Sequence, residues 1–132
     1  MAEEKTSDRC GCGCSGGSTL IFACSGAADV GQLADLAARR LTAEGAGKMF
    51  CLAGIGGQVR GIVETTRAAS AVLAIDGCPL DCARLTLEQA GFDGVAHLRL
   101  TDLGIEKGRS PATPEQIDRV VAEAKTRLQG CP

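Results

Sequence analysis

Ala71-Val72-Leu73-Ala74-Ile75-Asp76-Gly77-Cys78-Pro79 is the stretch on which the fold turns. Its apolar residues run without interruption and lack helical spacing, the signature of a short strand buried on both faces, as in a parallel sheet. Gly77-Cys78-Pro79 then turns the chain. Pro79 suits the first position of a helix, which the sequence predicts to run to about Ala90 and to end at Gly91. A buried strand leading straight into a helix is half of a βαβ unit.

The same alternation recurs on both sides. Thr19–Cys24 reads as a first buried strand. Asp29 opens a helix in which Gln32 completes a capping box, and Val30, Leu33, Ala34, Ala37 and Leu41 recur at helical spacing until Gly45 and Gly47. Lys48–Ala53 reads as a second strand. A Gly54-Ile55-Gly56-Gly57 loop and a weaker helix over about 58–69 follow it. Downstream, Val95–Leu100 alternates, with Ala96, Leu98 and Leu100 on one face, which suits a half-exposed edge strand. A long loop, Thr101–Ala112, leads to a helix capped by Thr113, opened by Pro114 and completed at its start by Gln116. Ile117, Val120, Val121, Ala124 and Leu128 form its inner face. Strands joined by helical crossovers pair in parallel. The expectation is a single α/β domain: a four-stranded, mostly parallel, doubly wound open sheet of the Rossmann/flavodoxin-like kind, ordered 2-1-3-4, with helices on both faces. Such sheets keep their sites at the carboxyl ends of the strands, beside a topological switch point.

The chain of 132 residues is 45% hydrophobic, yet its aromatics are only Phe22, Phe50 and Phe92. With 18 Gly and 20 Ala, the core must be closely packed Ala, Val, Leu and Ile, and base stacking on single-stranded nucleic acid is excluded. Basic and acidic residues number 14 and 16, for a net charge of −2 with no basic run. Neither nucleic acid nor an anionic membrane is expected as a partner. No apolar stretch approaches the roughly 20 residues of a membrane span. The acidic, polar start MAEEKTSDR is unlike a signal peptide, so a soluble cytoplasmic protein is expected. Residues 1–17, ending in Cys10-Gly11-Cys12-Gly13-Cys14-Ser15-Gly16-Gly17, read as a flexible Cys/Gly-rich arm ordered only by a metal or partner. The domain proper is expected over 18–132.

Eight cysteines in a chain with no export signal point to metal binding or thiol chemistry rather than disulfides. Cys24 ends the first strand, Cys51 falls in the carboxyl half of the second, Cys78 follows the third, and Cys82 comes one helical turn later. All four are expected at the rim where α/β sheets carry their chemistry. With strand one between two and three, strands about 4.8 Å apart are compatible with the roughly 3.8 Å sulfur–sulfur spacing of tetrahedral zinc. A helix start after Cys78 would offer free N–H groups that stabilise thiolates. Taken alone, Cys51 reads equally well as a small buried hydrophobe.

Ile75-Asp76-Gly77-Cys78-Pro79-Leu80-Asp81-Cys82-Ala83, followed by Leu87-Glu88-Gln89-Ala90-Gly91-Phe92, resembles the signature of DGC-domain proteins. Cys24-Ser25-Gly26, Met49-Phe50-Cys51-Leu52-Ala53-Gly54-Ile55-Gly56 and Asp102-Leu103-Gly104-Ile105 extend the resemblance over roughly 20–128. It implies a zinc-binding protein whose four chelating cysteines fall on Cys24, Cys51, Cys78 and Cys82, and it brings no biochemical activity with it.

Other features weigh less. Cys10, Cys12 and Cys14 suit a claw for a soft metal such as Zn(II) or Cu(I), accessory to the folded site, or equally a tail that binds metal adventitiously. Cys131 reads as a thiol at a frayed end. Gly54-Ile55-Gly56-Gly57 falls short of a dinucleotide fingerprint because Val59 stands where its third glycine belongs, so no nucleotide cofactor is expected. His97, the sole histidine, reads as a solvated or hydrogen-bonded strand residue rather than a ligand. Asp76 and Asp81 suit turn and capping roles as well as outer-shell contacts to thiolates. The sequence carries no Ser/His/Asp or Cys/His arrangement, which leans away from an enzyme, and no catalytic residue is assigned. The expected cofactor is one zinc per chain. An iron–sulfur cluster suits four thiolates too, and sulfur-transfer or redox chemistry through Cys24 or Cys78 is the rival from another class. Protein partners are not indicated.

Overall fold

The computed structural model of this chain describes residues 18–129. Among them are four strands, β1 (Thr19–Ala23), β2 (Lys48–Met49), β3 (Ala71–Asp76) and β4 (Ala96–Arg99). Five α-helices accompany them: α1 (Asp29–Ala43), α2 (Leu52–Gly56), α3 (Arg60–Arg67), α4 (Cys82–Gln89) and α5 (Pro114–Gln129). The sheet is ordered β2-β1-β3-β4, and every pairing is parallel. The expected order and class are therefore the observed ones, with the switch point between β1 and β3.

Period-two alternation divides the core. Ile21, Ala23, Leu73, Ile75 and Leu98 face α1 and α5, where Leu33, Leu41, Val120 and Ala124 meet them. Leu20, Phe22 and Ala74 face the other way, onto Ile55 of α2 and onto Ala83 and Leu87 of α4. β3 is buried on both sides because helices cover both, which is why its sequence shows no polar alternation. β4 lies at the edge, as its alternating pattern suggested.

Three expectations need correction. The second strand stops at Met49, not Ala53. Phe50 N–H still donates to Ile21 C=O at 2.8 Å, and the chain then coils into α2, so Gly54-Ile55-Gly56 is helical rather than a loop. An uninterrupted apolar run cannot by itself separate a strand from a buried helical turn. α4 begins at Cys82, not at Pro79: Asp81 precedes it with φ +55°, a left-handed conformation that breaks any helix running through it. Finally, the Asp29/Gln32 capping box does not form. The N-cap of α1 is Ala28, which makes no side-chain cap bond, and the Asp29 carboxylate serves a distant loop instead. At α5 the cap is as expected, Gln116 N–H donating to Thr113 Oγ1 at 3.2 Å.

The start of α1 packs against two loops with no room for side chains. A Cβ on Gly31 would lie 2.6 Å from the Gly26 carbonyl oxygen, and one on Gly77 would lie 2.7 Å from the Val30 carbonyl carbon. Glycine inside a helix ordinarily costs about 1 kcal/mol relative to alanine, so Gly31→Ala tests which effect wins. The backbone clash is expected to dominate, destabilising the protein by about 1–3 kcal/mol and lowering its thermal midpoint in circular dichroism.

Candidate functional site

The carboxyl ends of β1, β2 and β3 open onto one rim, and the cysteines follow them there. Cys24 directly follows β1, and its N–H donates to Ile75 C=O at 3.0 Å, carrying the ladder one residue past the strand. Cys51 is the N-cap of α2 and is exposed. It is neither in a strand nor buried, contrary to the small-hydrophobe alternative. Cys78 lies in the turn after β3, and Cys82 is the first residue of α4. All four are free thiols. Cys24 and Cys51 line an open cleft of about 1130 Å³ walled by Met49, Phe50 and Leu52.

The rim is held by backbone that is strained or closely packed. Ser25, next to Cys24, and Asp81, next to Cys82, are non-glycine residues with φ of +51° and +55°. Such conformations are sparsely populated and persist where surrounding contacts impose them. Ser25 Oγ donates to Asp35 Oδ1 at 2.8 Å. Gly77 lies against the α1 backbone, which fixes the turn bearing Cys78.

Beneath the rim runs a polar network. The Asp76 carboxylate, 1% exposed, accepts Ala83 N–H at 2.7 Å and Arg84 N–H at 3.1 Å, the open amides of α4. His97 Nε2 donates to Oδ2, the oxygen that also accepts Arg84 N–H, at 2.9 Å. Asp81 accepts a fork from Arg99, with Nη2 at 2.6 Å and Nε at 2.8 Å, and a further bond from Arg84 at 3.0 Å. The Arg99 fork holds the Asp81 carboxyl well below the usual carboxylate range, against the burial that would raise it, and Arg84 adds to the effect. The donor atoms of Asp76, Asp81 and His97 lie within 4.8 Å of one another. Two guanidinium groups already occupy the cationic positions around Asp81, so this trio is a structural network rather than a cation site.

The network overturns one expectation about the thiols. The amides of α4 that were to stabilise thiolates are spent on Asp76. The Cys82 thiol is pushed up, by burial first and then by the negative charge of Asp76 and by Cys24 and Cys78, with Lys107 acting the other way. Cys24, Cys78 and Cys82 are thus electrostatic neighbours, though among the described residues no three sulfurs lie within 4.8 Å of one another. Repulsion of this kind among soft donors is what a bound cation relieves. The donor set therefore suits a thiophilic metal. Cys10, Cys12, Cys14 and Cys131 lie outside the described residues.

Sequence reasoning missed Lys107, whose Nζ donates to Cys78 Sγ at 3.8 Å. The available signal was the length of loop 101–112, since long irregular loops in compact domains are commonly functional. It also missed how that loop is held. Asp29 accepts Gly108 N–H and Ser110 N–H, each at 2.8 Å.

A family model described as DGC domain matches residues 20–124. The chain is similar to the anaerobic and virulence modulator AnvM of Pseudomonas aeruginosa, 40% identical over 88 residues that cover 67% of each chain. No solved structure matches.

Two outcomes follow from the polar contacts. Asp76→Ala leaves buried amides and His97 without their acceptor, and is expected to cost about 3 kcal/mol in chemical denaturation. The Gly108 and Ser110 amides, with Val30 N–H, hold the Asp29 carboxyl below its usual range. Because the folded value is depressed, the ionised form stabilises the fold above about pH 4. That contribution is lost as pH falls through the depressed value. In an NMR titration the Gly108 and Ser110 amide resonances should move with a midpoint below about 3.9, and Asp29→Asn should abolish the transition.

Proposed function

This chain belongs to the DGC-domain family, and on that premise we propose that it binds one zinc ion through Cys24, Cys51, Cys78 and Cys82. The observation that carries the reading is topological: four free thiols follow three adjacent parallel strands at the same end of the sheet, astride its switch point. Zinc is favoured because an all-thiolate set suits it and because it needs no further ligand once four sulfurs are engaged. When bound, it would supply the positive charge that lets four neighbouring thiols act together as thiolates. The protein's own residues supply the rest. Asp76 holds the start of α4 and with it Cys82, while Gly77, seated on Val30, fixes the turn that carries Cys78.

A four-thiolate site leaves no open coordination position, which favours metal handling or a structural ion over hydrolysis. A reducing compartment such as the cytoplasm is where this thiol set would persist.

A second reading has one observation in its favour. Lys107 sets an ammonium against Cys78 Sγ, as thiol chemistry at that residue would use. In that case the thiols act without metal in sulfur transfer or redox exchange, with Cys24 or Cys78 as nucleophile.

Elemental analysis of anaerobically purified protein separates the readings. About one zinc per chain, retained when Cys10, Cys12 and Cys14 are all changed to Ser and lost in Cys78→Ser, is the expected result. A colourless preparation speaks for zinc, and a brown one with iron and sulfide for a cluster. Metal-free protein with four reactive thiols would overturn the proposal and favour sulfur chemistry.

A further inference from the structure

Lys107 is an exposed lysine, but its surroundings are not those of an unconstrained side chain. It lies in a turn closed by Arg109 N–H donating to Glu106 C=O at 3.1 Å, with Gly108 at φ +89°. Ile105 before the turn and Ser110 after it are buried, so both ends are fixed in the body of the protein. Ser110 Oγ donates to Glu106 C=O at 2.8 Å and closes the turn a second time. The Asp29 carboxylate then clips Gly108 and Ser110 to the start of α1. Across this strap the ammonium meets Cys78 Sγ.

The charge at the rim gives this placement a use. A divalent cation held by four thiolates is left with two excess negative charges, and the Asp76 carboxylate adds a third nearby. The cationic groups closest to Asp81, Arg84 and Arg99, are committed to that carboxylate. Resting on the zinc reading above, we propose that Lys107 is a positioning residue of the metal site. The Asp29-clipped strap holds its ammonium at Cys78 so that it balances the excess negative charge and slows release of the ion.

Retention is the quantity to measure. Full-length protein is loaded with one equivalent of zinc, mixed with excess chromogenic chelator, and the rate of release is followed. Lys107→Met, which keeps length and removes charge, is expected to release zinc about 10-fold faster, the scale of outer-shell effects on metal sites. Lys107→Arg should restore slow release. Asp29→Asn should speed release with Lys107 intact, because it loosens the clip and leaves the charge. The gap between wild type and Lys107→Met should narrow toward about 1 M salt, where charges more than about 3 Å apart are screened; a purely steric role would leave it unchanged.

Wild-type release by Lys107→Met, or a gap insensitive to salt, would overturn the assignment while leaving the zinc site standing. Release by Lys107→Arg as fast as by Lys107→Met would likewise remove charge as the cause. Failure of wild-type protein to take up zinc at all would instead bring down the metal reading, and this inference with it.

Discussion

Three consecutive residues at the start of α1 each hold a different loop at the carboxyl end of the sheet. Asp29 clips the strap bearing Lys107 through two backbone amides. Val30 receives Gly77, and with it the turn of Cys78, while Gly31 receives Gly26, two residues beyond Cys24. None of these contacts tolerates an added methyl group or a lost acceptor without movement of the loop concerned. The relative placement of Cys24, Cys78 and Lys107 thus depends on one helical turn, itself fixed by Val30 and Leu33 in the core.

Electrostatics divides the rim in the same way. Two buried carboxylates lie directly beneath it, Asp76 hydrogen-bonded by amides of α4 and by His97, and Asp81 ion-paired with Arg99 and Arg84. A helix start that would otherwise have stabilised thiolates is consumed by Asp76. The cysteines are left with one another and with Lys107.

Much of the architecture was legible because burial leaves a periodic mark. The continuous run Ala71–Asp76 and the alternating Val95–Leu100 announced a central and an edge strand, and parallel pairing followed from their helical connections. The grouping of Cys24, Cys51, Cys78 and Cys82 on one rim followed from the same topology. Boundaries were less legible where conformation is imposed from outside. Asp81 takes a left-handed conformation beneath two guanidinium groups supplied by Arg84 and Arg99. Only Arg84 is its neighbour in sequence, so Pro79 appeared the better helix start. Asp29 looked like a helix cap because its partners lie some eighty residues away. Lys48–Ala53 carried the apolar character of a strand but coils after Phe50 into α2, which brings Ile55 over Phe22 and Leu20 beside Ala83 and Leu87 of α4.

The core packed without tryptophan or tyrosine has an optical consequence. Three phenylalanines absorb weakly, and the near ultraviolet, filled in most proteins by indole and phenol, is almost empty here. Zinc, with its filled d shell, would leave that window empty, whereas charge-transfer bands from thiolate to iron would fall against a quiet background. An iron–sulfur cluster at the rim would thus announce itself in the absorption spectrum, with no reporter added.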